Sequence, residues 1–528
     1  MRNNMKMLLA LAGLVAMTAC QQGRTSGGGD DADSVAVVVH DTVPLPSVAQ
    51  ASVGDLDYKV FHIDTVNSGK LRDYDNQYLN APGQLTFRGD LLRNANFGGT
   101  IDTVPSRVVE DWMFKTRFDT SPTPLGVWGG GTGWTAQPLY IHWPDSLVAL
   151  FKREPAAALT PDFGPEEIMV ASLCGDVCFI NYATGKASRE PLDAGNPTKG
   201  TMMLDPSLNG NLYVGQGVPR VSEIGHEAFN LHTRERTMFL PRDPMALRHW
   251  YGTDSSPLIV GGFLFWCSEN GLIYKYLIQP DGTPTLHTVL RYTVKGDGAA
   301  AGVESSPCVY KNYCFIGDNH GDVLCINLDT MEPLWHYDNV DDIDASPVCE
   351  VVQGTPYVYF TCEVDRQGNT GMSHIVKLNG LNGQPVWHVT IPCNKLNMGG
   401  KHFDGGVYST PLLGGGDCEN LIFTNVCQRD NTHHAEFTAF DKSTGQIVYR
   451  TPLKYFAWTS PVAFYRPNGE MYIFTGDSSG NAYLIRGKTG EILFTEHMVN
   501  NFESSPVVIG NTMVVGSRGQ EIYRFHIE

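Results

Sequence analysis

The chain has 528 residues, 42% of them apolar, with 38 lysines and arginines against 56 aspartates and glutamates, a formal charge of −18. That balance argues against nucleic acid or an anionic membrane surface as the partner. Length alone allows two to four ordinary domains, and 56 glycines suit a turn-dense all-β chain.

Residues 1–20 read as a targeting segment. Arg2 and Lys6 form a positive start, Leu8 to Met17 an apolar run too short for a stable membrane span, and Thr18-Ala19 precede Cys20. The order Met17-Thr18-Ala19-Cys20 resembles a bacterial lipobox, which implies that Cys20 is diacylated and becomes the mature N-terminus; an ordinary cleaved signal with an incidental cysteine is the alternative. Gln21, in place of Asp, implies release to the outer membrane under enterobacterial sorting. Residues 21–35 are a polar Gly/Ser/Asp tether, which as flexible coil reaches ~20 Å. Residues 36–107 mix Pro, Asp and Asn with few periodic runs, and are expected to pack as an extended segment on the larger, C-terminal part of the chain. Within them Arg88-Gly89-Asp90 matches an integrin-type tripeptide, a match short enough to be chance.

From residue 108 the chain is organised by two repeating signals. The first is fullest at Ala439 to Tyr449, which reads A-x-D-x-x-T-G-x-x-x-aromatic. Phe179 to Arg189, Cys325 to Trp335, Lys377 to Trp387 and Leu484 to Phe494 keep parts of it, with Met331 where Gly is expected. The Asp or Asn side chain can close a turn on backbone N–H groups two residues on, Gly supplies positive φ, and the aromatic can fill the gap between neighbouring sheets. The second signal is Ser255-Ser-Pro257, Ser305-Ser-Pro307, Ala345-Ser-Pro347, Ser409-Thr-Pro411, Thr459-Ser-Pro461 and Ser504-Ser-Pro506, each opening an apolar run. A proline is tolerated at the first residue of a strand. The prolines lie 50, 40, 64, 50 and 45 residues apart, the period of a β-propeller blade.

In chain order, Val108 to Thr116 is the outer strand of a blade lacking its inner strands. A blade from Gln137-Pro138 to about Pro191 comes next, with an insertion at 151–165, then a degenerate one from Thr201 to about Leu240 with an irregular loop at 215–226. Five more span 255–293, 305–337, 345–391, 409–452 and 459–497, with loops at 364–374 and 393–408; the glycine-rich stretch Lys401 to Gly406 falls in the last of these. Pro506–Ile509, Thr512–Gly516 and Glu521–His526 complete the blade begun at Val108. Joining both termini in one blade removes a free edge. The expectation is an all-β, eight-bladed propeller of four-stranded antiparallel blades over 108–528, or a seven-bladed one if the degenerate blade does not form.

Both signals together resemble the PQQ-enzyme repeat of quinoprotein dehydrogenases and BamB-like outer-membrane lipoproteins. The enzyme branch implies a Ca²⁺ site, an Asp base near the cofactor and, in many members, a vicinal Cys-Cys disulfide. No Cys-Cys pair and no C-x-x-C-H haem motif occurs here.

The residue before the Ser-Ser-Pro signal is acidic four times, at Asp254, Glu304, Asp344 and Glu503, and is Tyr408 and Trp458 in two other repeats. Such a ring at the channel mouth could bind Ca²⁺ or a cationic ligand; alternatively each carboxylate bonds the serine or backbone N–H groups of its own turn. Trp134 and Trp458 either stack a planar ligand or pack between blades. Twelve cysteines less Cys20 leave eleven, so full pairing within one chain is impossible; buried free thiols are expected, with Cys174 and Cys178 placed to face each other across a hairpin. No zinc spacing, G-x-S-x-G elbow, H-E-x-x-H or Walker A is present, and His433-His434 stands alone in a polar loop. The reading is a non-catalytic, lipid-anchored scaffold binding envelope proteins, in an outer-membrane complex on the periplasmic or cell-surface side, with no cofactor. The alternatives are a PQQ- and Ca²⁺-dependent alcohol or sugar dehydrogenase and a surface module for glycans or other ligands.

Overall fold

Pro257, Pro307, Pro347, Pro411, Pro461 and Pro506 each stand one residue before the first strand of a sheet. A proline there gives up no ladder hydrogen bond. The computed structural model describes residues 52–528 except 95–97, 221–222, 296–299, 399–400 and 430–432, so Cys20 and the segments read as signal and tether lie outside the described residues. Among the described residues, eight antiparallel sheets are each built on four strands, one after another along the chain. The architecture is a β-propeller. The degenerate segment forms a full unit of this kind, from Met203–Leu204 to Arg236–Leu240. Val108–Lys115 pairs antiparallel with Glu521–Ile527, so both ends of the propeller share one blade.

The Asx-type turns form where their side chains stand. Asn181 Oδ1 accepts from the N–H of Ala183 and Thr184, and Asp441 Oδ1 from Ser443 and Thr444. Gly185, Gly383, Gly445 and Gly490 follow at φ between 70° and 75°. Met331 takes the same conformation at φ 63° with its side chain fully buried, which explains a non-glycine there: packing offsets the strain. The aromatic that ends the signal lies on the glycine of the next blade. A Cβ on Gly383 would sit 2.7 Å from the Trp335 ring, one on Gly445 2.7 Å from Trp387, and one on Gly185 2.6 Å from Trp112. The indole N–H groups of Trp335, Trp387 and Trp112 donate to the carbonyls of Gly380, Lys442 and Tyr182 in those same neighbouring blades.

The serines of the second signal also join blades. Ser256 N–H donates to Ser306 Oγ, Ser306 N–H to Ser346 Oγ, Ser346 N–H to Thr410 Oγ1, and Thr410 N–H to Ser460 Oγ. The first residue of the signal works within its blade: Ser305 Oγ and Ser504 Oγ bond Gly317 and Gly516 at the end of the second strand. Among the described residues none of these serine hydroxyls bonds Asp254, Glu304, Asp344 or Glu503, and the hydroxyls of Ser255 and Ser505 have no hydrogen-bond partner.

Residues 52–107 run over several blades. Leu56–His62 adds an outer strand to the sheet of Leu258–Val260, Gly83–Gln84 pairs with Leu139–His142, and Gly99–Thr100 runs parallel to Val462–Tyr465. Between these, residues 84–94 enter the axis. Arg88 Nη1 and Nη2 donate to the carbonyls of Pro461 and Pro411, and Arg93 Nε and Nη2 to those of Pro307 and Ser256. Gln137 Nε2 donates to Pro506 O while its Oε1 accepts from Arg88 N–H. The inner strands present carbonyls to the axis that no sheet ladder reaches, and two forked guanidinium groups supply the donors.

Three loop expectations are corrected. The insertion at 151–165 begins earlier, as the helix Asp145–Phe151 followed by a short 3₁₀ turn, because a run of apolar residues docks Phe151 against Trp143. The loops at 364–374 and 393–408 are largely strand: Thr370–Asn379 and Pro385–Asn394 extend a hairpin, Leu396–Met398 pairs with Lys401–Phe403, and Gly405–Gly406 pairs with Glu363–Val364. The Lys401 to Gly406 stretch is thus paired backbone rather than open loop. All eleven cysteines beyond Cys20 are buried free thiols, Cys174 and Cys178 included.

Candidate functional site

In each blade the first strand starts, and the second ends, on the same face. Residues before the first strand and after the second therefore gather around the axis. Asp254, Glu304 and Asp344 come from the first set, and Glu269 and Glu363 from the second. Each of the first three stands three residues before its proline, about 10 Å along an extended chain. The arginine-filled level of the axis therefore lies beneath them, and the opening is a blind pocket. It encloses a cavity of about 460 Å³, lined by carboxylates, by Lys199 and Arg248, and by aromatic rings including Trp134, Phe403, Tyr408 and Trp458.

Lys199, from the connection between the first two blades, reaches into the acids. Its Nζ pairs with Asp254 and lies 3.7 Å from Glu269 and 3.9 Å from Glu304. Oxygens of these three acids all lie within 4.8 Å of one another. The same ammonium stands 4.9 Å from the centre of the Trp134 ring. Burial opposes its charge, but Asp254, Glu269 and Glu304 together outweigh that and hold its pKa above the ordinary lysine value.

The acids are pushed the other way. Burial raises Asp254 to about 6 in spite of Lys199. Burial and then Glu304 raise Glu269 well above the usual range. Burial followed by neighbouring carboxylates does the same to Asp342, Asp344 and Glu363. Asp342 Oδ1, Asp344 Oδ1, Glu363 Oε1 and the indole N–H groups of Trp134 and Trp458 have no hydrogen-bond partner among the described residues. Native structures rarely leave such groups unpaired unless something else meets them.

Of the residues expected at the mouth, Asp254, Glu304 and Asp344 gather here, and Tyr408 and Trp458 line the same cavity with ring centroids 5.4 Å apart. Glu503 does not join them; its carboxylate lies 3.7 Å from Arg518, away from the cavity. Trp134 packs against Trp458 at 6.3 Å, so it is both a wall of the cavity and a contact between blades. Lys199, Glu269, Asp342 and Glu363 were not singled out from the sequence. A signal existed for Glu269 and Glu363, which directly follow second strands, but none for Lys199.

Fold and site together define a β-propeller with an acid-lined mouth. No protein-family model matches the chain, and no curated protein matches it by sequence. Among solved structures it is similar to the quinohemoprotein alcohol dehydrogenase ADHIIG from Pseudomonas putida HK5, with a TM-score of 0.57 and 11% identity over 84% of this chain and 80% of that one. It is similar to the quinohemoprotein alcohol dehydrogenase from Comamonas testosteroni, with a TM-score of 0.55 and 12% identity over 84% and 80%. BamB from Moraxella catarrhalis aligns with a TM-score of 0.49 and 13% identity, covering 80% of this chain and all of that one. At such identities the likeness is one of fold.

Proposed function

We propose that this chain is a non-catalytic binding protein of the bacterial envelope, held to the outer membrane by a lipid on Cys20 and presenting its loop faces to other envelope proteins. The observation that carries this reading is the charge of the mouth. Pyrroloquinoline quinone is itself a polycarboxylate. The cavity that would receive it is already lined by Glu269, Glu304, Asp342, Asp344 and Glu363, and of its two cations Lys199 is taken up by Asp254, Glu269 and Glu304 while Arg248 stands near Glu269. Like charges at this range repel strongly where water is scarce. The residues present therefore do not fit that cofactor. An acid-lined pocket receives cations, and broad loop faces receive partners.

Three measurements test this. Purified protein incubated with pyrroloquinoline quinone and Ca²⁺ is expected to show no shift of quinone absorbance and no alcohol- or sugar-dependent dye reduction; either signal would end the non-catalytic reading. Affinity purification from detergent-solubilised envelope membranes is expected to bring down an envelope protein in fixed ratio from wild-type cells. Metabolic labelling with a fatty acid should mark the wild type and not Cys20→Ser.

A further inference from the structure

We propose that the mouth cavity is a binding site for a primary alkylammonium group, supplied by a free diamine or polyamine or by the lysine side chain of a partner. The proposal deepens the binding reading above and names the ligand chemistry of the same site. The protein's own Lys199 shows what the cavity accepts: an ammonium held between Asp254, Glu269 and Glu304 and over the face of Trp134. The rest of the cavity again sets acids beside aromatic rings, its second cation, Arg248, standing near Glu269, and Lys395 pairing with Asp365 and Asp404. Asp342, Asp344 and Glu363 line it together with Tyr408 and Trp458, Glu363 beside the Tyr408 hydroxyl, and no lysine or arginine among the described residues forms an ion pair with any of the three. Glu363 is only 4% exposed, yet its Oε1 lacks a hydrogen-bond partner while lining the open space. A buried carboxylate with one oxygen unpartnered, beside aromatic rings, is the counterpart of an ammonium with an apolar stem.

The walls select among cations. Ca²⁺ demands six to eight oxygens, and the tightest group of acids, around Asp254, already encloses an ammonium. Indole and phenol faces add nothing to a hard metal ion but attract an organic cation. The cavity of about 460 Å³ falls in the range of roughly 300–1,000 Å³ found for small-molecule sites. Protonation must oppose binding, because Asp344 sits among Glu304, Glu363, Lys199 and Asp254, and Glu363 among Asp344, Asp342 and Tyr408, with burial holding both acids above their ordinary pKa.

The test is titration of the full chain in detergent with putrescine, with a lysine-containing tetrapeptide and with CaCl₂, followed by calorimetry and tryptophan emission. Saturable binding of either amine at pH 8 is expected, weaker by roughly tenfold at pH 5.5 and in Glu363→Gln and Asp344→Asn. Binding of putrescine assigns a free amine, and binding of the peptide alone a partner's lysine. Both variants should melt at or above the wild-type temperature at pH 8, since each removes a buried acid, so lost binding cannot be ascribed to unfolding. Absence of saturation by both amines, unchanged affinity in both variants, or displacement of the amine by stoichiometric Ca²⁺ would each overturn the proposal. Those results would leave the quinone and co-purification tests standing, so the two readings fail separately.

Discussion

Gly445 shows how one residue sets the distance between two blades. It has φ +73°, and a Cβ there would lie 2.7 Å from the ring of Trp387. Gly445→Ala therefore adds a clash to a strained backbone and should cost about 2–3 kcal/mol. Gly354→Ala is the control: φ is +80° but nothing lies within 4 Å, so only the backbone term of about 1 kcal/mol remains. Urea denaturation of both variants reads the difference. Asp254 makes a residue-scale prediction about pH. Burial raises its carboxyl from 3.8 to about 6, so the folded state binds the proton more tightly than the unfolded one. That contribution is fully present below about pH 4 and is lost as pH rises through about 6. Asp254→Asn should thus leave stability near pH 4 unchanged and gain about 1 kcal/mol at pH 8, a modest figure because Glu269 and Glu304 remain to pair Lys199. The comparison must be wild type against variant at each pH, because His226, lowered to about 3 by burial, adds stability as pH rises over the same range.

The element that most changes the reading of the chain is the segment 84–94. Its arginines are at most 1% exposed, and burial lowers both to about 10, so they stay charged at neutral pH. Asp90 beside them is raised to about 6 by burial even with Arg93 near. Arg93→Met removes donors from Pro307 O and Ser256 O and from Thr86 and Phe87 within the segment itself. It should cost about 3–5 kcal/mol, the range for stripping one partner from a buried charged network. Hydrogen exchange at 84–94 and at the amides of Val309 and Cys349, which donate to Leu91 O and Leu92 O, should accelerate more than exchange in outer strands; uniform acceleration would mean that the segment is not a separate stopper. None of this was legible in Arg88-Gly89-Asp90, because the carbonyls these arginines satisfy lie 163 to 373 residues away. The Ser-Ser-Pro starts and Thr-Gly turns were legible because their chemistry is local and recurs. The candidate site falls between. Asp254, Glu304 and Asp344 share a repeat position and could be found by counting, as could Glu269 and Glu363 two residues past their second strands, whereas Lys199 and Asp342 occupy connections that do not repeat. Glu503 shares the repeat position but lies outside the cavity lining, 3.7 Å from Arg518.

At the scale of the whole molecule, the ring shuts by the same contact that joins its other blades. Trp112 on the strand from the N-terminal side lies over Gly185 of the first blade and donates to Tyr182 O, as Trp387 does to the blade of Gly445. The closing blade differs only in that its strands come from opposite ends of the propeller: Val108–Lys115 pairs with Glu521–Ile527, which pairs in turn with Thr512–Gly516. Removing residues 521–528 takes out the strand between the other two and leaves both with unpaired edges, on a blade whose neighbours lose one face of their packing. Repeats whose stability comes from neighbouring interfaces tolerate the loss of an end poorly when that end is also the seam. The truncated chain should lose the single cooperative melting transition and pass to dimers or larger species as exposed edges find strands in other copies. Size-exclusion chromatography with light scattering alongside calorimetry would show both effects. Adding the missing segment back as a peptide should restore the monomer, because the backbone N–H and C=O groups it pairs with remain on both flanking strands. A truncated chain that stays monomeric and melts in one step at the wild-type temperature would mean that blade-to-blade contacts hold the circle without the shared blade.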